Sequence, residues 1–110
     1  MIKFSGEKLQ INSNPSVTFK YEISDAIEFE KMIIVLLKVP VGIIHNENIF
    51  GIDYLGNTVW QIKKMIPDSQ DSPFLEIKKE GDSLYAHNWS GIRAKVKVDT
   101  GEIVHKKITK

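Results

Sequence analysis

The stretches IFGIDYLGNTVWQI, from Ile49 to Ile62, and IRAKVKVDTGEIVH, from Ile92 to His105, decide the fold. Each contains an aspartate, then a glycine, then a valine followed by a ring residue, and the glycines lie 45 positions apart (101 − 56). Aspartate accepts hydrogen bonds from nearby amides and glycine adopts a positive φ, so this combination favours a tight turn. The β-branched residues on either side favour strands. The sequence therefore predicts two β-hairpins that belong to antiparallel sheets.

Shorter strand patterns flank both hairpins and extend the prediction to the whole chain. They are bounded by turn-forming residues and lie at Ile2–Phe4, Lys8–Ile11, Val17–Tyr21, Phe74–Lys79 and Ser83–Asn88. The halves resemble two blade-like meanders, but a closed propeller needs at least about four blades. We therefore predict a mainly β chain, built from antiparallel hairpins and meanders that form two packed sheets or a partly open barrel. We expect a single domain over residues 1–110, with at most one short helix.

The segment Ser24–Lys38 fits two different structures. Apolar residues recur at helical spacing through it, and Asp25 with Glu28 could form a capping box. The β-branched run Ile33–Val35, however, is typical of a strand that is buried on both faces. We favour a strand over residues 32–39, and a helix here is the alternative.

Composition excludes several classes of protein. The chain has 42% apolar and 26% charged residues, which is ordinary for a globular protein, and it has no cysteine. Disulfides, thiolate nucleophiles and cysteine-ligated metals are therefore excluded. The N-terminal residues are too polar for a signal peptide, and the apolar run Met32–Leu37 is far shorter than the roughly 20 residues that span a bilayer. We expect a cytoplasmic protein that does not contact a membrane.

Charge is distributed unevenly along the chain, although the net charge is only +1. Residues 22–53 contain six acidic and two basic residues, which gives −4, whereas residues 92–110 contain six basic and two acidic residues, which gives +4. Such asymmetry can steer association with a charged partner. Two oppositely charged faces that contact only solvent are the simpler explanation.

No motif indicates catalysis, a metal or a cofactor. The three histidines, His45, His87 and His105, lack the close spacing that would place two of them on one metal ion. No serine lies in a nucleophile-elbow pattern, and the glycines are scattered singly rather than grouped in a phosphate-binding loop. The basic strand around Lys95 contains no interleaved aromatic residue, which argues against binding of single-stranded nucleic acid. We therefore predict no catalytic residue, no metal site and no cofactor.

Surface recognition remains as the function that the residues allow. Aromatic residues near turns and acidic residues in loops are suited to a protein interface. The predicted partner-binding residues are Glu47, Tyr54, Asp68, Asp71, Glu80, Asp82, Tyr85, His87 and Trp89. The two tryptophans could instead be core residues, and this alternative is stronger for Trp60 than for Trp89.

Several segments resemble small bacterial immunity proteins that accompany polymorphic toxins, including those of contact-dependent growth inhibition systems. The segments are Ala26–Glu30 followed by Ile33–Leu37, Asn48–Asp53, Gly56–Asn57 with Trp60–Ile62, Leu84–Trp89, and Asp99–Ile103. The resemblance implies a non-enzymatic cytoplasmic antidote that binds the C-terminal domain of its cognate toxin, blocks the active site and forms a heterodimer with it. The acidic segment 22–53 would complement a basic nuclease toxin, whereas the basic C-terminal strands would not. A β domain that binds a small ligand or peptide between its sheets is the alternative function.

Overall fold

The computed structural model describes residues 1–63, 65 and 70–108. These residues form strands, turns and loops, with no helix among them. The strands are β1 (Ile2–Ser5), β2 (Lys8–Ile11), β3 (Val17–Thr18), β4 (Ile23–Glu28), β5 (Ile33–Leu37), β6 (Ile49–Ile52), β7 (Thr58–Gln61), β8 (Phe74–Glu80), β9 (Ser83–Asn88), β10 (Ile92–Val96) and β11 (Ile103–Ile108).

The strands form three antiparallel sheets in which neighbours in the chain are neighbours in space. The N-terminal sheet has the order β1-β2-β3, the middle sheet β4-β5-β6-β7 and the C-terminal sheet β11-β10-β9-β8, and none of them closes into a barrel. The predicted mainly β architecture of hairpins and meanders is confirmed. The sheets number three rather than two, because β3 is only two residues long and β4 pairs with β5 in a new sheet.

The middle sheet lies between the other two and is covered on both faces. Ile34 and Leu36 of β5 pack in a hydrophobic cluster with residues of the C-terminal sheet. Ile33, Val35 and Leu37 alternate with them and pack in a second cluster with residues of the N-terminal sheet. Successive side chains of a strand point to opposite faces, so double-sided burial requires every residue of β5 to be apolar. The ambiguous segment is therefore the β4–β5 hairpin, and the helical alternative is wrong.

The two hairpins that share a sequence pattern meet at one indole ring. Trp60 of β7 is buried, and its Nε1 donates a hydrogen bond to the carbonyl oxygen of Val98 at 2.7 Å. A Cβ atom added at Gly51 would lie 2.2 Å from the ring, and one added at Gly101 would lie 2.4 Å from it. The ring therefore lies between a glycine from each hairpin. Its counterpart in the second hairpin, His105, is exposed, so the two copies differ in burial.

A buried asparagine joins the middle sheet to the C-terminal sheet. The Nδ2 atom of Asn48 donates to the carbonyl oxygens of Leu37 and Phe74, both at 2.8 Å. Its Oδ1 atom accepts a hydrogen bond from the amide of Phe74 at 2.9 Å. Nearby, Oδ1 of Asn46 accepts a bond from the amide of Ser72 at 2.9 Å. These bonds fix the start of β8 against the loop that leads into β6.

Candidate functional site

The predicted partner-binding residues do not form one patch. Asp71 and Trp89 lie at one end of the C-terminal sheet. Glu80, the last residue of β8, and Asp82, in the β8–β9 turn, lie at the opposite end. The six residues of β9 separate these ends by roughly 20 Å. Asp68 lies outside the described residues.

Glu47 lies beside the end of the C-terminal sheet that carries Asp71. It is half-buried, and its carbonyl oxygen accepts a hydrogen bond from Nε2 of Gln61 at 2.9 Å. Its neighbours Asn46 and Asn48 bond to the backbone on both sides of Pro73, just before β8. The structure therefore brings Glu47, Asp71 and Trp89 to one end of the molecule.

This end also exposes apolar side chains. We refer to Asp71, Leu75, Trp89 and Ile108 as the Trp89 end. The side chain of Trp89 is 69% exposed, that of Leu75 is 52% exposed and that of Ile108 is 72% exposed. Leu75 lies in the bulge between Phe74 and Glu76, and Ile108 is opposite Ile92 on the neighbouring strand. The core alternative for Trp89 is therefore wrong, whereas for Trp60 it is confirmed.

Backbone hydrogen bonds hold the turn that carries Trp89. The amide of Trp89 donates to the carbonyl oxygen of Pro73 at 2.9 Å. The side chain of Asn88 is buried, and its Oδ1 accepts a bond from the amide of Ile92 at 2.9 Å. The exposed indole is thus attached to a turn whose amides donate hydrogen bonds within the protein.

Tyr85 and His87 lie on the outward face of the C-terminal sheet, between its two ends. The Arg93 guanidinium lies over the Tyr85 ring, 3.9 Å from its centroid, and Nη2 of Arg93 is 3.2 Å from Oε1 of Glu80. Nδ1 of His87 is buried and lies 3.2 Å from Oε1 of Glu76, an ion-pair distance, but their relative orientation does not meet hydrogen-bond geometry. The two side chains therefore approach each other closely without forming a hydrogen bond.

Tyr54 is tied into the fold rather than presented to a partner. Its hydroxyl oxygen lies 2.8 Å from the carbonyl oxygen of Phe29 and 3.0 Å from Oε2 of Glu28. Burial raises the pKa of Tyr54 to about 12, and the hydrogen bond and negative charge of Glu28 add to the rise. These contacts occupy the polar atom that an interface tyrosine would offer.

A groove of about 530 Å³ lies between the β4–β5 turn and the end of the C-terminal sheet. Its apolar lining comes from Phe29, Met32, Val96, Val98 and Val104, and its charged lining from Glu30, Lys31, Asp82, Lys95, Lys97 and Asp99. Of the predicted residues that the structure describes, Asp82 alone lines it. The sequence carried one signal for the groove, because Phe29 and Met32 flank a charged turn, but their segment was ambiguous between helix and strand.

Neither a metal centre nor a membrane-spanning helix is found within residues 1–63, 65 and 70–108. Over these ranges, no three histidine, aspartate or glutamate side chains are grouped so that they could hold a metal ion. Nor does this part of the chain contain a helix with the length and hydropathy needed to cross a membrane.

Comparison with known proteins identifies the family without assigning an activity. No curated protein matches the chain. The profile of one family, described as a domain of unknown function (DUF7957), matches residues 1–108. Because the match covers nearly all of the sequence, the chain belongs to the DUF7957 family.

Proposed function

We propose that the chain is a non-enzymatic immunity protein that neutralises a toxin domain in the cytoplasm, and that the Trp89 end binds the toxin. The observation that carries this proposal is the 69% exposure of Trp89 on a hydrogen-bonded turn. Tryptophan is strongly enriched among the residues that dominate binding energy at protein interfaces. A turn that is already ordered lowers the conformational cost of binding.

Two carboxylates near Trp89 suit a basic partner, although the exposed Lys106 and Lys107 precede Ile108 at the same end. Leu75 and Ile108 add apolar surface, while Asp71 and the nearby Glu47 add carboxylates that could pair with the substrate-binding cations of a nuclease. A standard interface buries about 800 Å² on each partner. The chain has a surface of 6604 Å², so such an interface would cover about an eighth of it and extend beyond the Trp89 end.

The test is to co-express the chain with the toxin domain encoded by the neighbouring upstream gene. We expect a stable complex and rescue of growth. Trp89→Ala should weaken binding by about 30-fold or more, since truncation of a dominant interface residue costs at least about 2 kcal/mol. Leu55→Ala is the matched control, because Leu55 is an exposed apolar residue (81%) on the β6–β7 turn.

The two variants separate the possible failures. If no complex forms and growth is not rescued, the immunity function is wrong. If the complex forms but Trp89→Ala and Leu55→Ala bind equally well, the interface lies elsewhere on the chain.

The groove favours a second candidate function, the binding of a small amphipathic ligand or a peptide. Its volume of about 530 Å³ falls in the range of roughly 300–1,000 Å³ that is typical of ligand sites. Met32→Trp would fill the groove from its apolar side. If the groove is a ligand site, this variant should abolish binding of an apolar fluorescent probe but leave binding of the toxin domain unchanged.

A further inference from the structure

The outward face of the C-terminal sheet carries a cluster of cationic residues around a tyrosine. We call Tyr85, Arg93, Lys95, His105 and Lys107 the cationic face. Lys95 of β10 is opposite both Tyr85 of β9 and His105 of β11. Arg93 is opposite Lys107. Residues that are directly opposite on antiparallel strands share one face, and these five line a shallow cavity of about 250 Å³.

Arg93 is held in place by its neighbours, whereas Lys95 and Lys107 are available to contact a ligand. Its guanidinium lies between the Tyr85 ring, at 3.9 Å, and the carboxylate of Glu80, at 3.2 Å. Lys95 and Lys107 are exposed, and the ion pairs found within the described residues do not include them. An oriented guanidinium beside two free ammonium groups is suited to binding an anion that has several acceptor oxygens.

The acidic residues of this face lie on β8, and one of them, Glu80, reaches the cavity through its ion pair with Arg93. Glu76 and Glu80 are cross-strand partners of His87 and Ser83 on β9, and Lys78, on the same strand, is 3.4 Å from Glu80. Counting Lys78, Arg93, Lys95 and Lys107 against these two acids gives the face a charge of +2 with neutral histidines (4 − 2). The excess positive charge therefore lies on β10 and β11, around the cavity.

We propose that the cationic face binds the phosphate group of a nucleotide, either free or within a single strand of nucleic acid. The cavity supplies cations from two adjacent strands, and β9 places the rings of Tyr85 and His87 beside them. Because Arg93 already covers one face of the Tyr85 ring, a base would pack against the guanidinium plane or the His87 ring. The sequence argued against binding of single-stranded nucleic acid, because no aromatic residue is interleaved in the basic strand. Cross-strand pairing supplies the aromatic residue from β9 instead. This site shares no residue with the Trp89 end, although Lys107 directly precedes Ile108 on β11, so it goes beyond the proposed immunity function.

The experiment measures binding of a fluorescent 12-nucleotide single strand and of a fluorescent mononucleotide at several salt concentrations. The test variant is K95E/K107E, and the control is K8E/K38E, which changes the net charge equally, from +1 to −3, at exposed lysines elsewhere. We expect K95E/K107E to weaken binding at least 10-fold and K8E/K38E to weaken it much less. The slope of log affinity against log salt should fall by about 1.4 in K95E/K107E, or about 0.7 for each phosphate that the variant no longer neutralises.

The ligands distinguish the source of the phosphate. Tighter binding of the strand than of the mononucleotide supports a nucleic-acid site, and equal binding of the two supports a free-nucleotide site. The proposal is overturned if neither binds at low salt, or if both double variants weaken binding equally. It is also overturned if a polyglutamate peptide of matched charge binds as tightly as the strand, because the face would then favour acidic proteins.

Discussion

At the scale of single residues, Trp60 of the middle sheet packs closely against Gly101 of the C-terminal hairpin and against Gly51 of its own sheet. The indole has no space for a Cβ atom at Gly51 or at Gly101. Gly101 also has a φ of +76°, a conformation that other residues adopt only at a cost. Backbone conformation and packing therefore both require glycine at this position.

We predict that Gly101→Ala destabilises the protein considerably more than Gly81→Ala. Both positions have a positive φ, so each substitution should cost about 1–2 kcal/mol, but space is open around Gly81. At Gly101 the new methyl group would overlap the Trp60 ring and add roughly another 1–3 kcal/mol. Urea unfolding of the two variants measures the difference. Equal destabilisation by the two variants would contradict this packing. It would also be contradicted if the losses in unfolding free energy from Gly101→Ala and Trp60→Leu simply added in the double variant.

Tyr54 should make stability depend on pH in the alkaline range. The pKa of Tyr54 is about 12 in the folded chain, whereas the ordinary pKa of a tyrosine is 10.0. The stability that the protonated hydroxyl contributes is therefore fully present below about pH 10. The contribution is lost as the pH rises through about 12. We expect Tyr54→Phe to lose less stability than the wild type between pH 10 and 12, because all other titrations are common to both proteins.

The same variant should also be less stable at neutral pH, by about 1 kcal/mol, since phenylalanine has no hydroxyl to bond to the carbonyl oxygen of Phe29. Thermal unfolding across this pH series tests both effects. Parallel curves for the two proteins would show that the hydroxyl ionises equally easily in the folded and unfolded chains.

At the scale of elements, Asn48 attaches β8 to β5, which lies in another sheet. Asn48→Ala would leave the amide and carbonyl of Phe74 and the carbonyl of Leu37 without these partners in a buried place. Each buried unsatisfied group costs about 1–3 kcal/mol, so we expect a total destabilisation of roughly 3 kcal/mol.

Asn57→Ala is the control for this prediction, because Asn57 is exposed and its substitution should cost less than about 1 kcal/mol. Amide exchange at Phe74 supplies an independent measurement and should accelerate in Asn48→Ala. Unchanged exchange at this amide would mean that another group holds the start of β8.

The strands themselves could be predicted because their signals are local. Turn residues mark the ends of most of them, and Asp53 accepts hydrogen bonds from the amides of Leu55 and Asn57 as its turn chemistry predicts. The hairpin at β4 and β5 was harder to predict, because a strand covered on both faces loses the alternation that distinguishes it from a helix. Which sheets would cover it depends on distant strands, so the number of sheets could not be predicted.

The candidate site was less predictable for a related physical reason. Trp60 and Trp89 both lie at or just after strands, and residues much later in the chain, among them Val98 and Gly101, help to bury Trp60. The cationic face likewise depends on register between strands rather than on the order of residues within one strand. The sequence allowed individual aromatic and acidic residues to be proposed as interface residues. It did not allow us to predict that they lie at two opposite ends of a sheet.

At the scale of the whole molecule, the middle sheet is shared by both hydrophobic clusters. The N-terminal sheet covers one of its faces and the C-terminal sheet covers the other. Removal of one cover would expose β5 to water, so we expect the three layers to unfold together.

Leu9→Ala tests this cooperativity from one side of the molecule. Leu9 is fully buried in the cluster on the N-terminal side, and its truncation should cost about 2–5 kcal/mol. Trp60 lies in the cluster on the other side, and its fluorescence can be isolated in a Trp89→Phe background. We expect the unfolding midpoint reported by Trp60 to fall together with the midpoint from circular dichroism. If Leu9→Ala leaves the unfolding midpoint reported by Trp60 unchanged, the N-terminal sheet is instead a separate folding unit.

The indole between two glycines also constrains how members of the family can diverge. A relative that carries any side chain at the position of Gly51 or Gly101 must have a smaller residue in place of Trp60, since the ring leaves no room for both. The three positions should therefore change together across relatives, although Gly101 lies 41 positions after Trp60 (101 − 60). Alignments of the family should show this covariation wherever the tryptophan has been replaced.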